Sequence, residues 1–405
     1  MLSRLIFIGS CIFALTLPFD FSLKNINLDI PLIKSLLGLE IVILLFLWEL
    51  VIIFERRLKI KTKGLLLPLF IFFTIHLFSA IFPSDRMVWS LKYTFRFFGL
   101  SSIYFILINF ITDKRRLSNI IDCLFISVAL AAILVIIQYF FPYALIPWQR
   151  FFDDALVSVH RIRGLFGWPT EMSVYLGTFI PLILSHLIYR INRDRLFYLP
   201  LFLIIILALI LSKTRGWILG VFCGLVTLWL LDLIQSKSYK IIGMTAVILV
   251  ISIIIFWNRG LFKFIASDLE PSEKGRLIFA KDALKAIQAH PFKGMGADMF
   301  YWNSAYHCRT HNIFLETAVN LGIFGLLVLL WLFYDIFKLI GRGLSKPTAD
   351  GNRYLQWGIF ASLVSFLACN QVDYFWHKHE IIGLFWFIVG IGVLAASLTK
   401  KVQVY

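Results

Sequence analysis

The stretch that decides the fold is Arg309-Thr310-His311-Asn312, which an apolar run from Ile313 to Phe337 follows at once. A run of this length and composition predicts a membrane-spanning helix. Five residues at spacings of 4, 3, 4 and 3 share one face of that helix: His311, Leu315, Ala318, Gly322 and Gly325. We therefore expect a protonatable imidazole to cap the helix above a groove of small residues. The alternative is plain helix packing, because small residues at this spacing let membrane helices approach closely.

The composition of the whole chain agrees with a polytopic membrane protein. Of its 405 residues, 60% are apolar and only 15% are charged, and the mean hydropathy is +0.85. The net charge of +16 does not point to nucleic acid, since most basic residues lie in short loops between apolar runs. The five cysteines are scattered, without the spacing of a disulfide framework or of a metal site.

The apolar runs predict an all-α fold of about twelve transmembrane helices. They lie near residues 5–18, 31–54, 64–82, 88–111, 118–141, 172–190, 196–211, 217–235, 240–257, 313–337, 354–369 and 381–398. With the N-terminus inside, the cytoplasmic segments hold twenty Lys and Arg and the short outer loops hold five. The excess of basic residues on one side predicts that both termini are cytoplasmic.

We expect one integral membrane domain over residues 1–405, with an outer loop at 142–171 and a larger one at 258–312. Both loops are rich in basic residues, and long loops cross a membrane largely regardless of charge. Anion binding is the obvious reason for these charges. The larger loop contains a predicted amphipathic helix from Gly275 to Ala289, with Ser272 as its N-cap and Pro291 after its end. Such a helix lies on the membrane surface, covers a cavity, or is simply solvated.

Charged side chains gather at the predicted outer ends of the spans. They are His160, Arg161, Arg163, Glu171, Lys213, Arg215, Arg276, Arg309, His311, Asp373, His377, His379 and Glu380. Arg suits a phosphate because its planar fork donates paired hydrogen bonds. A diphosphate leaving group needs such neutralisation as its bond breaks, and His311 is suited to accept a proton from an attacking hydroxyl. The bland alternative for the arginines is an interfacial position with no ligand.

Other residues extend or limit this hypothesis. Lys92 and Arg96 are one helical turn apart inside the fourth span, a costly position, so we expect them to line the same cavity. Trp168, Tyr301 and Trp302 are candidates for stacking on sugar rings. No phosphate-binding P-loop and no nucleotide motif is present. The alternating His377 and His379 do not have metal-ligand spacing, and we expect neither a metal nor another cofactor.

At this point the residues resemble a known group, the O-antigen ligase and polymerase superfamily. His311 followed by Gly322 matches its H-x10-G pattern. Three further parts agree in order: Arg161-Ile-Arg-Gly-Leu-Phe-Gly, then Ser212-Lys-Thr-Arg-Gly-Trp, then Gly275-Arg276 leading to Pro291-Phe-Lys-Gly-Met-Gly. Together these parts cover residues 160–330, and the twelve-span layout agrees over the whole chain. The chain departs from the Arg-x3-Leu motif of some ligases at Ala280.

The resemblance implies a metal-independent, inverting membrane glycosyltransferase of the GT-C-like type in the cell inner membrane. Its donor would be a glycan on undecaprenyl diphosphate at the periplasmic face. Arg215 and Arg276 would hold the diphosphate, and His311 would be the catalytic base or orient the acceptor. Arg161, Arg163 and Lys213 are further donor-binding candidates. The remaining site candidates are Glu171, Arg309, Asn312 and Gly322.

Three functions stay open after this step. A ligase of lipopolysaccharide biosynthesis would use lipid A-core as acceptor, whereas a polymerase would use another lipid-linked repeat unit. A transporter of anions or solutes also needs basic cavities, but the charges gather at the outer face rather than at the midplane. The partners expected are the lipid bilayer, the donor and the acceptor, with no nucleic acid. The pattern does not indicate an oligomeric state.

Overall fold

The computed structural model describes residues 2–20, 35–55, 60–81, 86–142, 162–189, 195–214, 216–235, 271–344 and 352–398. These residues form an all-helical membrane protein, which confirms the predicted fold class. The helices are α1 Leu2–Thr16, α2 Leu36–Glu55, α3 Leu66–Ile81, α4 Met87–Phe110, α5 Lys114–Phe140, α6 Pro169–Tyr189, α7 Arg195–Leu211, α8 Gly216–Gln235, α9 Pro271–Ala289, α10 Phe300–Asn303, α11 Ile313–Gly341, α12 Asn352–Cys369 and α13 His379–Leu398.

Two helices form the centre of the bundle. Helix α13 is buried on every side from Ile381 to Ala396 and packs against α4, α11 and α12. Helix α6 is equally enclosed and packs against α7, α8 and α12. The peripheral helices bury one face and expose large apolar side chains on the other, such as Phe46, Phe70 and Phe324. Exposure of this kind is what contact with lipid tails requires.

Eight helices of the described part are long and apolar enough to cross a membrane: α1 with the short 3₁₀ turn after it, α2, α4, α5, α6, α8, α11 and α13. Two more, Leu66–Ile81 and Phe197–Leu211, are apolar but shorter. The predicted span at 240–257 lies outside the described residues. The predicted span at 354–369 is a helix, α12, but a more polar one, with Gln356, Ser362 and Ser365 buried in it. Because α6, α8 and α13 surround α12, it can hold these polar groups away from lipid.

Helix α11 is not the continuous helix that the sequence predicted. It is broken at Gly322, whose backbone angles are φ 70° and ψ −173°, a conformation open essentially to glycine alone. At the break, the carbonyls of Val319 and Asn320 accept hydrogen bonds from Met295 and Gly296 at 2.9 and 3.0 Å. The Pro291 carbonyl accepts one from Ile323 at 2.8 Å.

The break corrects the predicted groove of small residues. A Cβ atom at Gly322 would lie 2.1 Å from the carbonyl oxygen of Phe292. The space beside Gly322 is therefore filled by the segment 291–296, and the space beside Gly325 is filled by Leu321 of its own helix. Gly322 lets the two chain segments cross, and of the predicted face only Leu315 and Ala318 line a cavity together with His311.

Helix α9 is the helix that was predicted in the large loop, with a difference in its start. It includes Pro271, so Ser272 lies inside the first turn and is not its N-cap. It packs on α11 through Ala283 and Ile287, next to Phe300 and Val319. Three further apolar side chains of this helix are exposed: Leu277, Ile278 and Leu284.

Candidate functional site

The start of α11 is fixed by hydrogen bonds to the turn between α12 and α13. Asn312, not His311, is the N-cap, and its side-chain oxygen accepts from the amides of Phe314 and Leu315 at 3.0 Å each. The Asn312 side-chain amide donates to Gln371 Oε1 at 2.9 Å. The first amide of the helix, Ile313 N–H, donates to the Asn370 carbonyl at 2.9 Å. The predicted cap is thus corrected by one residue, and His311 is free to point elsewhere.

His311 faces Asp373, which lies on that same turn. Its Nδ1 is 2.6 Å from Asp373 Oδ1. Both side chains are partly exposed, at 29% and 15%. The His311 ring is stacked on Phe279 of α9, with 5.9 Å between ring centroids. A carboxylate at Nδ1 holds the proton there and leaves Nε2 with a free lone pair. The arrangement is suited to a general base.

A cavity of about 680 Å³ opens beside this pair. Arg276 of α9 and His311 lie in the same cavity wall, together with Thr310, Asn312 and Gln371. The other lining residues are mostly apolar: Leu277, Ala280, Ile287, Phe314, Leu315, Ala318, Ile323, Leu326 and Val372. The cavity therefore has a polar end with an imidazole and a guanidinium, and a long apolar wall between α9 and α11.

Arg309, two residues before His311, is engaged by two carboxylates. Its guanidinium forms an ion pair with Asp298 and a longer one with Glu316 at 3.5 Å. Burial lowers the pKa of Arg309, but Asp298 and Glu316 outweigh this effect and raise it. Glu316 also accepts from the Thr310 amide at 2.8 Å. These contacts fix the backbone on the N-terminal side of His311, and they leave Arg309 with its charge already compensated.

A second cavity, of about 480 Å³, lies on the other side of the segment 309–311. Lys92 and Arg96 line this second cavity with Arg309, and they do not line the cavity of His311 and Arg276. The expectation that they line one cavity with the outer charges therefore holds for Arg309, His377, His379 and Glu380, but not for His311 and Arg276. A wall separates the two cavities, and in it the Tyr93 hydroxyl lies 2.9 Å from the hydroxyl of Tyr374. Tyr374 is the residue that follows Asp373 in the sequence.

Of the residues predicted in the smaller loop, Glu171 contacts the wall of this second cavity. Glu171 is in the first turn of α6, not in the loop, and is paired with Lys378 of the cavity wall at 2.9 Å. Arg163 is buried, and its guanidinium donates to the Gly167 carbonyl at 2.5 Å. It lines neither of the two cavities. His160 and Arg161 lie outside the described residues.

The turn between α7 and α8 reaches the wall of the His311 cavity. Lys213 is exposed there, with a left-handed backbone at φ 55°. Arg215 lies outside the described residues. Gly216, which follows it, lies beside Val372 of the cavity wall, and a Cβ atom added there would be in ordinary van der Waals contact with that side chain at 3.8 Å.

Sequence reasoning missed the residues that position His311. Asp373 was noted only as one of several charges, and Asp298, Glu316 and Gln371 were not singled out. Asp373 is 62 residues from His311, and no local spacing could pair them. Glu316 did carry a signal, since a carboxylate inside a predicted membrane span is costly without a partner.

Comparison with known protein families gives a match over part of the chain. Residues 200–330 match the family described as O-antigen ligase. The matched range contains α8, α9, His311 and the broken part of α11. No curated protein matches the chain.

Proposed function

Residues 200–330 place the chain with the O-antigen ligase and polymerase superfamily, and we propose that it is a ligase of lipopolysaccharide biosynthesis. The match to this superfamily supports a function in membrane glycan assembly and an activity like that of a glycosyltransferase. The proposed reaction transfers glycan from undecaprenyl diphosphate to a sugar of lipid A-core. His311 with Asp373 is the observation that carries this proposal.

The His311–Asp373 pair supplies what attack by a hydroxyl needs. With Asp373 2.6 Å from Nδ1, the Nε2 lone pair accepts the proton of the acceptor hydroxyl. The hydroxyl oxygen bonds to the anomeric carbon while the bond from that carbon to the diphosphate breaks. Attack opposite the leaving group inverts the anomeric centre. Both electrons of the broken bond leave with the lipid diphosphate.

Arg276 is the candidate for the departing diphosphate, because it lines the same cavity as His311. A guanidinium keeps its charge and donates two parallel hydrogen bonds, so it stabilises charge that develops on phosphate oxygens. Arg215 is assigned the same role from its sequence motif alone. Because these arginines would supply the positive charge that a metal ion otherwise provides, we propose a metal-independent reaction.

The apolar wall of the cavity supports a lipid-linked donor. Side chains such as Leu277, Leu315, Ile323 and Leu326 lie along it and suit a polyprenyl chain. The polar end, where Thr310, His311 and Gln371 lie, would then receive the diphosphate and the first sugar. We propose that this end faces the periplasm and that both termini are cytoplasmic, which the distribution of Lys and Arg supports.

A strain lacking the gene tests the proposal through its lipopolysaccharide gel profile, with lipid-linked glycans extracted in parallel. A ligase predicts bare lipid A-core and long polymer accumulating on the lipid carrier. Core capped by a single repeat, with no long polymer anywhere, would instead assign the polymerase. An unchanged profile would contradict both and favour other glycans or transport.

Complementation of that strain tests the residues. We expect His311→Ala to lower transfer by about 10²–10⁴-fold, the usual loss for a general base. His307→Ala is the matched control, since His307 is exposed on the same loop and lines neither cavity. Arg276→Ala is expected to weaken donor binding, measured on purified protein. Full transfer by a normally inserted His311→Ala variant would refute the catalytic assignment.

A further inference from the structure

The second cavity, defined above by Lys92, Arg96 and Arg309, has no role in the proposed chemistry. Most of its charges are paired. Arg309 is paired with Asp298, Lys378 with Glu171, and His379 with Asp20 at 2.6 Å. Glu380, the remaining carboxylate of the wall, interacts electrostatically mainly with Lys378, Asp20 and His379.

Lys92 and Arg96 have no such direct partner, although Asp298 and Asp20 interact electrostatically with Arg96. Among the described residues, no hydrogen bond or ion pair within 4 Å reaches either side chain. Both lie inside α4, which is a membrane span, and both line the cavity. Charges in such a position are costly unless a partner or water compensates them. Two cations one helical turn apart, facing one cavity, form a site for an anion.

The cavity wall also has the side chains that sugars use. Trp89, Lys92, Tyr93 and Arg96 follow the i, i+3, i+4, i+7 pattern of one helical face, and all four line the cavity. The Trp89 side chain is 47% exposed, and its indole is held edge-on to Trp302 with 5.2 Å between ring centroids and by a hydrogen bond to Asp298. An oriented aromatic face beside cations suits a ring that carries both apolar C–H groups and a charge.

The cavity is adjacent to the reacting pair. Arg309 lines it, while Thr310 and His311, the next two residues, line the donor cavity. Tyr93 lines it and bonds to Tyr374, the neighbour of Asp373. A ligand in the second cavity would therefore sit across the His311–Asp373 wall from the donor.

We propose that this cavity is an anion subsite for a charged sugar of the acceptor glycan. Lys92 and Arg96 bind its phosphate or carboxylate, and Trp89 packs against its ring. Only the assignment of this sugar to the acceptor rests on the proposed function. Binding of a charged sugar can be measured without transfer. A lipid headgroup phosphate is the competing source of the same chemistry.

The test uses the full-length protein in nanodiscs of phosphatidylcholine, with dissociation constants measured by NMR titration. The probes are glucuronate and glucose 6-phosphate, with glucose and inorganic phosphate as references. We expect both sugar anions to bind more tightly than either reference. We expect the double variant Lys92→Met and Arg96→Met to bind them about tenfold to a hundredfold more weakly, as loss of charge-assisted hydrogen bonds predicts. Lys285→Met, on the exposed face of α9, is the matched control and should bind like the wild type.

The double variant is expected to fold, since it removes charge from a membrane span. Absence of binding to the wild type, or equal binding to wild type and double variant, would overturn the inference. Binding that is as tight for inorganic phosphate as for the sugars, and abolished by phosphatidylglycerol in the nanodisc, would overturn it in favour of a lipid headgroup. His311→Ala should lose transfer and keep sugar binding, which separates a failure of this inference from a failure of the proposed function.

Discussion

At the scale of the residue, His311 is held in a backbone conformation that costs energy. Its φ is 57°, a left-handed value that costs a non-glycine residue about 1–3 kcal/mol. The contacts on either side compensate this cost: Glu316 binds the Thr310 amide, and Asn312 caps the helix. The strained conformation turns the imidazole out of the helix line and toward Asp373.

Asp373→Asn is the sharpest test of the pair. The amide can turn its NH₂ group toward Nδ1 and donate to it, whereas a carboxylate can only accept, so the proton can move to Nε2, which is then no longer a free acceptor. We expect transfer to fall by about 10²-fold or more, with little change in donor affinity. Asp335→Asn, the same change near the far end of α11, is the control. A variant that loses donor affinity but keeps its turnover rate would contradict the assignment.

At the scale of the element, two helices build the donor cavity. Helix α11 is broken at Gly322 so that the segment 291–296 can cross it, and this crossing fixes the end of α9. Because α9 carries Arg276 and α11 follows His311, the crossing sets how far apart the two side chains lie. The break is therefore part of the site, although no atom of Gly322 lines the cavity.

Gly322→Ala is predicted to disturb this crossing. The new methyl group would meet the Phe292 carbonyl at 2.1 Å, and the backbone angles are unfavourable for alanine. We expect a loss of about 1–3 kcal/mol or more, seen as a lower thermal midpoint in detergent and lower yield. Gly341→Ala on the same helix meets nothing closer than 3.9 Å and should behave like the wild type. Equal midpoints for both variants would contradict the role of the break.

Ala280→Trp tests whether the cavity between α9 and α11 holds the donor. Ala280 lines the cavity, and an indole there would occupy much of the space beside Arg276 and His311. We expect donor binding to fall at least tenfold while the protein still folds, since the new ring enters open space. Ala289→Trp, at the exposed end of α9, is the control. Unchanged donor affinity in Ala280→Trp would place the donor elsewhere.

At the scale of the whole molecule, the buried turn between α12 and α13 links folding to pH. Burial, with the charges of Arg309, Lys378 and His379, holds the pKa of His377 well below its usual value. Above about pH 6.5 the ring is neutral in both the folded and the unfolded chain. Below that pH only the unfolded chain takes up the proton, so stability is lost as the pH falls toward the folded-state pKa.

The matching experiment compares thermal midpoints in detergent between pH 7 and pH 5. We expect the wild-type midpoint to fall over this range, and His377→Phe to fall less while keeping the stacking on Tyr374. His307→Phe, at an exposed position, should follow the wild type. An identical pH dependence in wild type and His377→Phe would show that His377 makes no contribution.

The sequence by itself determined the membrane class and most of the helices, and it pointed to the superfamily that residues 200–330 match, because these depend on local patterns. Apolar runs, loop charges and short motifs each lie within a short stretch of the sequence, so they can be recognised without knowledge of the fold. The same reasoning brought His311 and Arg276 together as candidates, and the structure places both in one cavity wall.

Only the tertiary structure decided what surrounds those residues. It paired His311 with Asp373, moved the cap to Asn312, broke α11 at Gly322 and put Lys92 and Arg96 into a separate cavity. Each of these depends on contacts between segments that are far apart along the chain. Such contacts are set by how helices pack and by where buried polar groups find partners, and no periodicity in the sequence records them.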